Sequence, residues 1–188
     1  MGRPLFKGGK DMVFKRIRLG LLLPSIIFVF TLILLFMPIK ECLVFQFQNS
    51  GHVLAYIPIS KGEVFQMKYT HSIHLSHVVD SYLVTKNGQM KQYELMYEDF
   101  SIGMPAHAAE DETFERKNGK YYLKNMNRVF PAFDLRTGKV RANHTLIFQE
   151  KEYPLSHYLE PGTWVRIKVE KINLWQLWKG VNILDETL

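Results

Sequence analysis

The sequence predicts an all-β domain, an antiparallel β-sandwich or barrel, placed between one N-terminal transmembrane helix and a short C-terminal helix. Three observations predict this arrangement. An uncharged, apolar run occupies residues 19–39. After it, turn dipeptides recur roughly every dozen residues between short stretches of β-branched and aromatic residues. No helical periodicity lies between those turns until Asn173, which favours a sheet protein over an α/β one.

The uncharged run is long enough to cross a membrane. Its 21 residues would span roughly 31 Å as a helix, close to the hydrocarbon thickness of a bilayer. Residues 1–18 carry six cations and one acid, a net charge of +5 within the +6 of the whole chain. We therefore expect a basic cytoplasmic tail at 1–18, a single-pass signal anchor at 19–39, and an extracytoplasmic domain at 41–188 on the outside of the cytoplasmic membrane.

Two other interpretations of this run fit less well. A cleavable secretory signal has an apolar region of about 7–15 residues and a small-x-small cleavage site. The run here is longer, and residues 36–41 offer no such site. Cys42 follows Glu41 rather than a small residue, which disfavours a lipoprotein signal. A helix buried in a soluble core would have a polar face, which this run lacks.

The strands follow from local patterns. Residues 42–47 and 52–57 flank the turn Asn49-Ser50-Gly51, which is typical of a hairpin. The other predicted strands are residues 78–85 and 90–97 around Asn87-Gly88, a hairpin with Asn118-Gly119 at its turn, residues 139–149 after Thr137-Gly138, and residues 163–172 after Pro161-Gly162.

Residues 63–71 alternate in polarity as one strand. One face carries Phe65, Met67, Tyr69 and His71. Because this face holds the large apolar side chains, we expect it to point inward, with His71 at its end.

A short amphipathic helix is predicted at the C-terminus, with Asn173 as its N-cap. Trp175 would lie off the apolar stripe. Either the helix covers an open end of a barrel, or it presents Trp175 and Trp178 to the membrane interface or to a partner. The apolar stripe consists of Leu174, Leu177, Trp178 and Val181.

Composition and motifs exclude several functions. A single cysteine allows neither an intrachain disulfide nor a Cys-rich zinc module. Residues after position 18 carry a net charge of only +1, which argues against nucleic-acid binding. The chain has no P-loop, no GxGxxG and no GxSxG. We therefore predict no catalytic residue, no cofactor and no enzymatic activity, although a cell-envelope hydrolase stays as a weaker alternative.

Three histidines, His71, His74 and His77, precede Asp80. Two of the imidazoles could converge in a strand or a helical turn, so a transition metal is conceivable. There is no HExxH and no repeated Cys/His spacing, so no metal site is predicted.

A series of short motifs in the same part of the chain is more distinctive. It consists of Phe65-x-Met67-x-Tyr69-Thr70-His71-Ser72-Ile73, then Val78-Val79-Asp80-x-Tyr82, then Phe100-Ser101-Ile102-Gly103-Met104-Pro105. Over roughly residues 45–170 it resembles the domain of unknown function 1850 family. In that family pattern an aromatic-x-His-Ser-Val strand end precedes an acidic residue, which is Asp80 rather than glutamate here, and a later Gly-Ala-Gly-Met-like turn begins with Ser101 here.

The resemblance implies a small extracytoplasmic protein with no established enzymatic activity. It also implies an accessory subunit of a TAXI-type tripartite ATP-independent transporter, in contact with the permease or its substrate-binding protein. The alternative function is an extracytoplasmic sensor domain that binds a small ligand or a metal.

His71, Ser72 and Asp80 have the chemistry of a polar cluster. A carboxylate can fix the tautomer of an imidazole, and a serine hydroxyl can bridge the two or face a ligand. Such a cluster either holds two strands in register or binds a ligand, and both roles stay open.

Overall fold

A computed structural model describes residues 8–71, 75–99, 104–105, 107–138 and 143–185, with side chains from residue 22 onward. Helix α1 precedes a run of strands, and helix α2 lies near the end of the chain. The elements are α1 (Gly8–Phe36), β1 (Lys40–Phe47), β2 (Val53–Pro58), β3 (Val64–Thr70), β4 (His77–Val84), β5 (Met90–Tyr97), β6 (Thr113–Lys117), β7 (Lys120–Phe130), β8 (Phe133–Arg136), β9 (Thr145–Phe148), β10 (Lys151–Pro154), β11 (Trp164–Ile172), α2 (Leu174–Lys179) and β12 (Val181–Asn182).

The strands form two sheets that pack face to face. One sheet has five strands in the order β12-β2-β1-β11-β8, and the other has seven in the order β10-β9-β3-β4-β5-β7-β6. Neighbouring strands are antiparallel except for β12 and β2. The main core draws Phe45 and Ile167 from the first sheet and Phe65 and Leu146 from the second. The all-β prediction is therefore confirmed, and of its two forms the structure is the sandwich.

The predicted hairpins are confirmed where the sequence contains a strong turn dipeptide. Strands β4 and β5 pair around Asn87-Gly88, and β6 and β7 pair around Asn118-Gly119. Asn118 and Gly119 have φ angles of 53° and 76°. A two-residue turn with both φ angles positive matches the right-handed twist of the strands it joins, and Asn-Gly tolerates this backbone best.

One predicted strand is shorter than expected. Of the described residues 143–149, only Thr145–Phe148 forms a strand, and residues 139–142 lie outside the described part of the chain. Gln149 and Glu150 have φ angles of 50° and 64° and turn the chain into β10. Glutamine and glutamate seldom adopt positive φ, so the sequence gives no sign of this turn.

The C-terminal helix is confirmed, but its predicted stripe is not. Asn173 caps it: the Asn173 side chain accepts from the Gln176 N–H, and the Gln176 side chain accepts from the Asn173 N–H, at 2.8 and 3.1 Å. The helix ends at Lys179, and Val181 belongs to β12, where it pairs with β2.

Helix α1 begins within the predicted tail and ends before the predicted end of the anchor. Pro24 lies inside it. Among the residues whose side chains the structure describes, no helix is both long enough and apolar enough to span a bilayer. The transmembrane assignment of residues 19–39 stays a prediction.

Candidate functional site

One carboxyl group lies within a row of apolar side chains on the inner face of the seven-stranded sheet. Directly paired residues of neighbouring strands share a face of the sheet. Asp80 of β4 pairs with Met67 of β3 on one side and with Leu95 of β5 on the other. The row continues to Leu146 of β9 and Leu123 of β7, and these four apolar neighbours are all buried. Asp80 is therefore the acid in an otherwise apolar row.

The position of Asp80 follows from the alternation of β4. Val78, Asp80 and Tyr82 point to the same face, because side chains of a strand alternate with a period of two. Tyr82 belongs to the core cluster between the two sheets. Val78 belongs to a second cluster, with Leu95, Tyr97, Leu123 and Met126. Asp80 thus lies at the boundary between two apolar clusters.

Within the described part of the chain, the carboxyl group has a neutral hydrogen-bond partner, Gln92, and a more distant cation, Arg128. Gln92 Nε2 donates to Asp80 Oδ1 at 2.6 Å, and the Gln92 side chain is buried. Arg128 pairs with Gln92 across β5 and β7, and its guanidinium forms an ion pair with Glu112 at 3.0 Å. Burial raises the pKa of Asp80 to about 6, although the Gln92 hydrogen bond and the charge of Arg128 act in the opposite direction.

Two phenols lie in the field of Asp80. Burial raises the pKa of Tyr69 to about 12, and the charge of Asp80 adds to this rise. The pKa of Tyr82 is raised further by the same two causes. Both hydroxyls are therefore neutral at physiological pH.

His71 lies just past the end of β3 and is half-buried. The backbone N–H of His71 donates to the Ser76 carbonyl at 2.8 Å, so the backbone closes a turn there. His71 is four residues beyond Met67, the cross-strand neighbour of Asp80, which corresponds to about 13 Å along the strand. Ser72 lies outside the described residues. The inward direction of Phe65 and Met67 is confirmed, whereas a joint role of His71, Ser72 and Asp80 stays a prediction.

The described histidines of this region are not gathered around a common point. His77 begins β4 with an exposed side chain. The backbone N–H of His77 donates to the Glu98 carboxylate at 3.0 Å. His74 lies outside the described residues. Within the described chain, no three His, Cys, Asp or Glu side chains come close enough to share a metal ion.

A half-buried histidine, His144, that no pattern in the sequence singles out lies nearby. The His144 ring is 5.7 Å from the Tyr69 ring, and its Nδ1 accepts from the Gly138 N–H at 3.3 Å. Burial lowers the pKa of this imidazole, so it is neutral at physiological pH. Together with Thr137 and Ser156 it lines a cavity of about 340 Å³. Only the long-range pairing of β9 with β3 brings His144 to Tyr69, and no local pattern could have shown this.

The Asp80 row and His144 both lie within one stretch of sequence. Residues 65–155 match the family model of DUF1850, a domain of unknown function. The DUF1850 match spans the seven-stranded sheet from the second residue of β3 to the end of β10. The resemblance seen in the sequence is thereby confirmed over a narrower range. No curated protein and no solved structure matches the chain.

The two predicted contact residues, Trp175 and Trp178, lie outside the DUF1850 match, on helix α2. Trp178 is 70% exposed and Trp175 is 41% exposed. Leu177, on the other side of the helix, packs against the outer face of the five-stranded sheet. The two tryptophans are therefore free to meet something other than the β domain itself.

Proposed function

We propose that the protein is a membrane-anchored, non-enzymatic accessory subunit of a TAXI-type tripartite secondary transporter. In this proposal α1 holds the chain in the cytoplasmic membrane with its N-terminus inside. The β domain lies outside and contacts the permease or its substrate-binding protein. The family resemblance is the source of the transporter class, and the DUF1850 match supports that resemblance.

The observation that carries the anchor is the surface of α1. From Leu22 to its end at Phe36, this helix exposes apolar side chains on all sides, including Ile26, Phe28 and Ile33. A helix that is apolar all round fits lipid better than water. In the sequence the uncharged run extends to residue 19 on one side and residue 39 on the other. Cations precede it, as expected for an N-terminus in the cytoplasm.

A copurification experiment tests both parts of the proposal. We expect the full-length chain, extracted in mild detergent, to bring down a large multi-span permease in a fixed stoichiometry. The double substitution Ile27→Lys with Phe30→Lys should release the chain from the membrane and abolish recovery of the permease. Each lysine at the centre of a membrane helix costs about 2.5–3.5 kcal/mol of insertion free energy.

Val129→Lys is the matched control, because Val129 is also an exposed apolar residue but lies on β7 of the β domain. This variant should stay in the membrane and keep the permease. A wild-type chain that is soluble without detergent contradicts the anchor. A chain that requires detergent but is recovered without a transporter component contradicts the accessory role alone.

A second function, an extracytoplasmic sensor, is supported by the cavity beside His144. Thr137, Asn143 and Ser156 supply polar groups to its wall, as a small-ligand site requires. If the accessory role holds, we expect the melting temperature of the purified chain to be unchanged by EDTA. One equivalent of bound metal, with a fall of many degrees on chelation, would instead favour a metal sensor.

A further inference from the structure

Helix α2 is fixed in orientation by its inner face. Leu177 packs on the outer face of the five-stranded sheet, and the Tyr56 hydroxyl donates to the Leu177 carbonyl at 3.2 Å. Gly180 ends the helix so close to the sheet that a Cβ there would lie 3.1 Å from Tyr56. The side chains that receive Leu177 are Cys42, Val44, Val53, Tyr56 and Ile172. The opposite face of α2 therefore points away from the domain in a defined direction.

That opposite face combines aromatic rings with a cation. The rings of Trp175 and Trp178 are 5.2 Å apart between centroids. Lys179 Nζ lies 4.6 Å from the centroid of Trp178 and 5.1 Å from that of Trp175. We call Trp175, Trp178 and Lys179 the aromatic face of α2.

The aromatic face lies next to the junction between α1 and the β domain. Helix α1 ends at Phe36 and contacts α2. The Ile39 N–H donates to the Ile172 carbonyl at 3.0 Å, two residues before α2 begins. Lys40 is the first charged residue after the uncharged run. The aromatic face is thus at the level where the apolar run gives way to polar sequence.

We propose that the aromatic face inserts into the headgroup region of the bilayer that holds α1. This inference rests on the membrane anchor of the proposed function. Tryptophan rings are favoured at the membrane interface, where the apolar ring body meets lipid and the indole N–H meets water. The ammonium of Lys179 can reach lipid phosphates from the same depth. Because the chain between α1 and β1 is only residues 37–39, the bilayer surface is the first partner that α2 meets.

Tryptophan fluorescence in vesicles tests this insertion. The chain has three tryptophans: Trp164, Trp175 and Trp178. One variant, Trp164→Phe with Trp175→Phe, keeps Trp178 alone, and a second, Trp175→Phe with Trp178→Phe, keeps Trp164 alone. Each full-length chain is reconstituted in vesicles of phosphatidylcholine and phosphatidylglycerol, with and without lipids brominated just below the headgroup. All three indoles are exposed, so phenylalanine replacements leave the core intact.

Trp164 is the matched control. Its exposed fraction of 45% is similar to the 41% of Trp175. However, Trp164 begins β11, whereas Ile172, next to α2, ends that strand. The separation is about 26 Å along the strand, away from α2. We expect Trp178 to lose most of its emission to the brominated lipids and to shift to shorter wavelength. Trp164 should keep its emission in the same vesicles.

Flotation of the vesicles on a density gradient separates the two possible failures. A chain that floats with the vesicles, but whose Trp178 is quenched no more than Trp164, overturns the insertion and leaves the anchor in place. The aromatic face would then be open for a protein partner. A chain that does not float overturns the anchor and this inference together.

Discussion

Replacing Phe65 by alanine is expected to destabilise the β domain by about 3–5 kcal/mol, the usual cost of removing a buried phenylalanine ring. Phe65 is 1% exposed and stacks on Tyr82, with ring centroids 5.1 Å apart. Tyr82 in turn stacks on Phe133 at 5.2 Å. Phe133 belongs to the five-stranded sheet, so this column of rings joins the two sheets. Guanidinium unfolding of the fragment 38–188 measures the change.

Val64→Ala is the control for this variant, because Val64 is the neighbour of Phe65 and is 48% exposed. A surface substitution of this kind changes stability by about 0.5 kcal/mol or less. If Phe65→Ala and Val64→Ala unfold at the same denaturant concentration, the inner face of β3 has been assigned to the wrong side of the sheet.

Asp80→Asn is expected to make the domain more stable than wild type at pH 8, by about 1–3 kcal/mol. The pKa of Asp80 is raised from 3.8 to about 6 in the folded state, so folding favours the protonated carboxyl. Its stabilising contribution is complete below pH 3.8 and is lost as the pH rises through 6. Asparagine carries no charge and keeps an oxygen that can accept from Gln92. The melting temperatures of variant and wild type are compared from pH 4 to pH 8. Because both proteins contain the same histidines, the difference between them reports the titration of Asp80 alone.

Asp134→Asn provides a control of opposite sign. Arg166 donates to both carboxylate oxygens of Asp134, at 2.8 and 2.9 Å, and lowers its pKa. The stability that Asp134 contributes is therefore present above its unfolded pKa and lost as the pH falls, so its amide variant should be slightly less stable than wild type at neutral pH. An Asp80→Asn variant that melts below wild type at pH 8 would show that a cation compensates the Asp80 carboxylate.

The strands could be predicted from the sequence where turn chemistry is local. Asn118-Gly119 specifies its hairpin because both residues tolerate the positive φ that they adopt, and Gly88 supplies the positive φ at the Asn87-Gly88 turn. The turn at Gln149 and Glu150 has the two positive φ angles of the Asn118-Gly119 turn without the residues that favour them, so β10 cannot be predicted from the sequence. Strands of four residues, such as β8, are also too short to show a period of two.

The candidate site depends on register, which the sequence does not show. His71 and Asp80 are nine positions apart, and the loop between β3 and β4 decides how they face each other. The register pairs His77 with Thr70, and so places Asp80 beside Met67. The inward alternation of Phe65 and Met67 was predictable, but the apolar row around Asp80 includes residues from four other strands.

The sequence also leaves open whether the two tryptophans point outward, because this too depends on tertiary packing. A six-residue helix has too few turns for its apolar stripe to select one face. Leu177 alone is enough to seat α2 on the sheet, and this leaves Trp178 in the open. Tertiary packing therefore decided which of the predicted apolar residues is buried.

The junction between α1 and β1 has a mechanical consequence. The linker of residues 37–39 reaches at most about 11 Å when extended. The hydrogen bond from Ile39 to Ile172 shortens the free part of this linker further. A domain on such a short linker stays close to the membrane surface, whereas a domain on a long flexible stalk can move far above it. In a membrane-anchored chain it drifts laterally in a thin layer at the surface, and its encounters become two-dimensional. Any neighbour in the same membrane then meets it at a high effective concentration, without a strong contact of its own.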